Sequence, residues 1–183
     1  MTRDEALALL RSHIKAENLI AHMLAVEAAM RAYAKRSGQD EEAWGLTGLL
    51  HDIDYEEFPT PEDHSLRGAE WLAAAGLPAE IVYAVKAHGV HPELAREDLL
   101  TKTLCAVDGL TGFIVAVALV RPSKKLADVE VKSVTKKMKD KAFAAACNRE
   151  EMLAGAKTLG VEFPEHVATV LDAMKAIASD IGL

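Results

Sequence analysis

At 183 residues, half of them hydrophobic, the chain is long enough to bury its own core and is read as one compact domain, residues 1–183. A formal net charge of −7 argues against a dedicated nucleic-acid binder, and no apolar run is read as long enough to cross a bilayer, so neither a stable nucleic-acid partner nor a membrane is expected. Cys105 and Cys147 stand far apart and fit reduced thiols; with a charged amphipathic start in place of a signal peptide, they point to the cytoplasm.

Alanine and leucine are plentiful, aromatic and β-branched clusters are scarce, and no strand-like alternation stands out. The expected fold class is therefore all-α. A short helix covers about residues 2–12. The next spans 17–36, with an apolar face at Leu19, Met23, Val26 and Met30, and stops at Ser37-Gly38. Asp40 caps a third helix that starts at Glu41 and ends near His51-Asp52. After a loop broken by Pro59 and Pro61, Asp63 opens a helix to Ala75, which Gly76 terminates. Pro78 starts another that ends near His88-Gly89. A long apolar helix spans 97–120 and halts at Arg121-Pro122. A basic helix over 131–146, a short one over 149–159 and a last one over 164–181 complete the chain. The last carries an apolar stripe at Val167, Val170, Leu171, Met174 and Ile177, which either packs on the core or forms a homodimer surface.

His22, the adjacent His51-Asp52, His64, His88 and Asp108 read as one metal site between helices. Imidazole nitrogens and carboxylate oxygens suit first-row ions, and neither cysteine takes part. Most of these residues fall on the apolar stripe of an expected helix, where an unpaired charge is costly and something must compensate it. Taken singly, His22 and His88 also fit core histidines satisfied by a carbonyl, and Asp108 fits a carboxylate paired with an arginine. The ordered set of six points to metal.

That order resembles the HD superfamily, which has a His in an early helix, an adjoining His-Asp, further histidines, and a final Asp in a long helix. LLHDIDY (49–55) looks like its namesake motif and CAVDGLTG (105–112) like its closing Asp. The resemblance covers residues 18–120, and 121–183 are read as C-terminal helices packed on that core. His64 and His88 are similar to the extra ligands of two-metal members, including single-domain phosphohydrolases of the HDIG type. Two positions depart: Asp54 stands where a Gly usually follows HDI, and Tyr55 where a Lys is often found. No role of that Lys carries over. The resemblance implies one ion on His22, His51, Asp52 and Asp108, with Asp52 bridging to a second on His64 and His88. The cofactor expected is one or two divalent or first-row transition metal ions (Fe, Mn, Ni, Zn, Co or Mg). The reaction implied is hydrolysis of a small phosphorylated metabolite or nucleotide, metal-bound hydroxide attacking phosphorus with Asp52 at the catalytic centre.

No GxSxG elbow, Cys-His pairing or Walker loop stands out, so neither a protein nucleophile nor ATP-driven work is expected. Arg67, three residues after His64, is a candidate phosphate grip or else a surface partner of Glu70 or Asp63. His91, three beyond His88, is a candidate proton donor to the leaving group or else a loop residue without a role. VRPSKK (120–125) offers Arg121 and Lys124 as further grips; with eight Lys/Arg against three acidic residues, 121–141 forms either a solvated face or an anion-binding lid. Asp54 either orients a ligand histidine or caps the next turn. Two other readings remain: a mixed-valent di-iron oxygenase using the same six ligands, and a non-enzymatic ligand-binding module on the HD scaffold. The basic residues after Val120 favour hydrolysis, and the intact ligand set weighs against the module.

Overall fold

The computed structural model describes residues 1–183 and consists of nine α-helices with no strand. Local chemistry sets most helix ends. Thr2 and Glu5 form a reciprocal capping box at the head of α1 (Arg3–His13). The second helix, α2 (Glu17–Ser37), ends at Gly38, whose φ of 65° turns the chain left-handed. Asp40 accepts the amides of Glu42 and Ala43 and starts α3 (Glu41–Leu50). Then follow α4 (Leu66–Ala74), α5 (Ala79–His88) and α6 (Leu99–Leu119), the last capped by Asp98. Beyond a single 3-10 turn (Leu126–Asp128) come α7 (Val131–Lys137), α8 (Arg149–Thr158), capped by Asn148, and α9 (Phe163–Ala176).

Two hydrophobic clusters form, and α2 feeds both. Ile20 and Met23 join Leu10, Leu49, Leu50, Leu72 and Ile81 in the smaller. Val26, Met30 and Tyr33 join Leu104, Val107, Phe113, Val170 and Met174 in the larger. Each such side chain, once buried, contributes about 1.5–3 kcal/mol. The expected metal residues lie along the seam. His22 adjoins Met23 of the smaller core and lies one turn before Val26 of the larger, His51 follows Leu50, His88 comes one turn after Val85, and Asp108 follows Val107. Two glycines bring helices to backbone contact there. A Cβ on Gly48 would lie 2.9 Å from the Glu27 backbone in α2, and one on Gly155 would lie 2.8 Å from Cα of Ala106. Glu27 itself is buried, and its carboxylate takes Arg3 at 2.7 and 2.9 Å and Arg31 at 3.0 Å, tying α1 to α2.

Three expectations need correction. The first concerns α6, which is long and apolar enough to cross a membrane by length and composition, with a mean hydropathy of 1.6. Here it packs against α2, α5, α8 and α9. The second is the basic helix, which stops at Lys137 and not near 146. The Arg149 guanidinium gathers the carbonyls of Asp140, Phe143, Ala144 and Cys147 while lying over the Phe113 ring. These carbonyls are thereby drawn into turns, and Ala144 takes a φ of 43°. The third is α4, which begins at Leu66 and not at Asp63, because Ser65 sits at a φ of 67° with its hydroxyl on the Lys86 carbonyl at 2.9 Å. The stripe of α9 is buried at Val167, Val170, Leu171 and Met174, and packs on the larger core.

Candidate metal centre

A neutral imidazole carries one donor nitrogen and one acceptor nitrogen, and the partner of the first fixes the second. His51, at the end of α3, has Nδ1 2.8 Å from the Gly48 carbonyl. A carbonyl can only accept, so Nδ1 carries a proton, and in the neutral ring Nε2 is the acceptor. His88, at the end of α5, donates Nδ1–H to the Val85 carbonyl at 2.5 Å. His64 donates Nδ1–H to Asp54 Oδ1 at 2.9 Å. For His22 the neighbour of Nδ1 is Thr111 Oγ1 at 3.4 Å, whose own hydrogen goes to the Asp108 carbonyl at 2.7 Å.

In the neutral ring all four Nε2 atoms thus face inward as acceptors, and what they face are carboxylates. His88 and His64 stand 3.1 and 3.3 Å from Asp52 Oδ1. His51 stands 3.4 Å from the same oxygen and 3.7 Å from Asp108 Oδ1. His22 stands 3.1 Å from Asp108 Oδ1 and 3.9 Å from Asp52 Oδ2. Acceptor faces acceptor throughout, and only a cation reconciles them. His51 makes this plainest: it is fully buried and its Nε2 has no hydrogen-bond partner. Protons are one such cation. Burial pushes His51 down, yet Asp52 and Asp108 overturn this and lift it to about 9. Burial opposes His64 too, but Asp52 and Asp54 raise it to about 9. Both carboxylates, despite burial, are held well below the usual range, Asp52 chiefly by His51 and Asp108 chiefly by His22. Metal is the other cation. His22, His51 and Asp108 form one group whose ligand atoms all lie within 4.8 Å of one another; His51, Asp52 and His88 form a second.

The HD domain family model matches residues 19–112, just over half of the chain and all six of these residues. The chain belongs to the HD domain family. No curated protein and no solved structure matches it. Within this HD domain, Asp52 turns one oxygen to His64 and His88 and the other toward His22, the disposition of a carboxylate shared between two positive centres. Asp54 is fully buried, and its side chain reaches the His64 ring and α4 instead of capping the turn that follows it. Its Oδ1 orients His64, and its Oδ2 accepts the Gly68 amide of α4 at 2.7 Å.

The centre opens on one side. The His51 and His88 side chains are 0% and 4% exposed, whereas that of Asp108 is 34% exposed. Asp108 and His88 form part of the lining of a cleft of about 300 Å³ whose walls are α6 and α8. The α8 wall, including Asn148, Glu151 and Thr158, was not singled out from sequence; nothing in its residues marks chemistry. Lys102 and Arg96 also line the cleft and were likewise missed. Arg96 donates to the carbonyls of Ala87, His88 and Gly89 at 2.8, 3.0 and 2.6 Å, so it closes the end of α5 and holds His88 in place. A cation just past a helix end was the readable signal.

The other expected substrate residues lie elsewhere. Arg67 pairs with Glu70 at 3.2 Å and Asp63 at 3.8 Å and lies against Phe58, outside the cleft lining. His91 is buried and donates Nε2–H to the His64 carbonyl at 3.0 Å, bracing the ligand segment from within and not standing at the mouth. Arg121 bonds Ser133 Oγ and lies about 20 Å along the α6 axis from Asp108 at 1.5 Å per residue. Lys124, exposed, follows it. The 121–141 segment thus contributes nothing to the cleft lining.

Proposed function

We propose that this HD domain is a cytoplasmic, metal-dependent hydrolase of a small phosphorylated metabolite, nucleotides among the candidates. The observation that carries the reading is the buried Nε2 of His51, without a hydrogen-bond partner amid three more imidazoles and two carboxylates. His22, His51 and Asp108 would hold one ion and His64 and His88 a second, with Asp52 shared. Such ions supply Lewis acidity to the phosphoryl oxygens and acidify a water at neutral pH. The chain's part is to hold the ligands rigid through Gly48, Val85, Asp54 and Thr111, and to present the open Asp108 side to the cleft. The family contributes the reaction class, since HD domains are typically metal-dependent hydrolases.

The test is elemental analysis of the untagged protein purified without chelator, followed by a panel of phosphomonoesters and nucleotides. One or two ions per chain with turnover of a phosphate ester is the expected result. His51→Ala and Asp52→Ala should lose metal and turnover together while staying helical. Turnover that survives complete loss of metal would overturn the proposal. One feature favours a second reading, a di-iron oxygenase. His22 also borders a largely apolar pocket of about 300 Å³ formed with Ala21, Val115, Leu119 and Ile181, a surface suited to a C–H substrate. Oxygen uptake by iron-loaded protein, with a mixed-valent EPR signal and no phosphate release, would establish that reading over hydrolysis.

A further inference from the structure

The 21 residues of α6 include only two charged side chains, Lys102 and Asp108. Charges in so apolar a helix need a reason, and both line the same cleft. Asp108 has its reason in His22 and His51. The Lys102 ammonium forms no salt bridge or hydrogen bond in the protein. Its nearest acidic neighbour along the chain, Asp98 one turn earlier, is engaged by the amide and hydroxyl of Thr101 at 2.8 and 2.7 Å. Arg96, the other cation of the cleft, has its guanidinium occupied by three carbonyls. It adds positive potential but has few donors left to grip with.

We propose that Lys102 anchors the phosphate of the substrate, an assignment that rests on the hydrolase reading above. Lys102, Cys105, Ala106 and Gly109 recur at i, i+3, i+4 and i+7 and form one wall of the cleft. Between Lys102 and Asp108 that wall carries only the small side chains of Cys105 and Ala106. Six residues set the Lys102 and Asp108 Cα atoms about 9 Å apart along the axis, a gap that a flexible lysine stem and one phosphate group span together. An ammonium suits this task because it offers three rotatable donors to oxygens whose far side faces the metal ligands.

The experiment compares wild type, Lys102→Met and Lys102→Arg as metal-loaded proteins. It measures inorganic phosphate binding by calorimetry, metal content, and kinetics with p-nitrophenyl phosphate. Lys102→Met should weaken phosphate binding and raise KM by about tenfold to a hundredfold, the loss of one charge-assisted contact. Metal content and melting temperature should stay unchanged, since the side chain is only half-buried and unpaired. Lys102→Arg should recover part of the binding. If Lys102→Met binds phosphate and turns over ester as wild type does, the anchor is overturned and the hydrolase reading stands. If wild type neither binds phosphate nor turns over any ester of the panel, the hydrolase reading falls and the anchor falls with it.

Discussion

His51 at the metal centre and His166 in the larger core are both sealed from solvent at 0% exposure, and their surroundings complete them differently. His166 accepts the Tyr33 hydroxyl at Nδ1, 2.6 Å away, and donates Nε2–H to the Ala106 carbonyl at 3.0 Å. Both nitrogens are satisfied by protein, and three helices are joined. His51 gives Nδ1–H to Gly48 and leaves Nε2 with nothing but carboxylates to face. Burial holds His166 below its ordinary 6.5, whereas Asp52 and Asp108 reverse the same effect at His51 and lift it to about 9. Burial alone therefore does not distinguish a ligand from a core histidine. The unmet nitrogen does.

The sharpest way to break this contrast is to remove each ring in turn. His51→Ala should lower metal affinity by more than the ~100-fold typical of losing an outer partner, while His166→Leu should leave metal content as in wild type. Equal metal loss in both would mean that His51 acts only through the fold. Asp54→Asn comes next. Its amide cannot accept from both His64 and Gly68, so metal affinity should fall about 10- to 100-fold; an unchanged titration would leave Asp54 a helix cap only.

His166→Leu should also cost about 1–3 kcal/mol in urea denaturation of the metal-free protein, because the Ala106 carbonyl and Tyr33 hydroxyl lose their partner. The sign of its pH dependence follows from the lowered value. The folded chain keeps His166 neutral, so below 6.5 the unfolded chain binds a proton that the folded chain refuses. His166 thus subtracts stability as pH falls from 6.5 toward its folded value and has no such effect above 6.5. Wild type should decline more steeply than His166→Leu between that pH and about 5; parallel curves would show that the bridge does not hold the ring neutral. The smallest effect belongs to Arg67→Ala, whose ion pairs are half exposed. It should change stability by less than about 1 kcal/mol and leave KM unaltered. A raised KM would return Arg67 to the substrate.

The helices that bear the metal residues were legible because their ends are written locally. Asp40, Gly38 and Asp98 cap or stop the chain within a few residues of themselves. The meeting of the six residues was legible as well, since imidazoles and carboxylates set in order on apolar faces need compensating partners, and here they face one another. The path after Lys137 was not, because Arg149 acts on carbonyls up to nine residues earlier, a contact that no periodicity encodes. Nor was the cleft wall. Asn148 is an ordinary cap, and Glu151 and Thr158 ordinary helix residues, until Gly155 lets α8 settle onto α6. Arg121 and Lys124 looked well placed only because sequence nearness to Asp108 ignores the rise of the helix between them. His166 carried no motif and drew no notice, although it is the molecule's own specimen of a satisfied core histidine.

Gly48 does two things at once. Its missing side chain lets α3 rest on the α2 backbone at Glu27, and its carbonyl receives the proton of His51. Glu27 lies five residues past His22 on α2, and Gly48 three residues before His51 on α3. The gauge of the candidate metal centre between these two histidines is therefore cut by a main-chain contact, which flexes far less than any pair of side chains. Ions of different radius would meet the same fixed calliper, so backbone packing would weigh in the choice among them beside ligand chemistry.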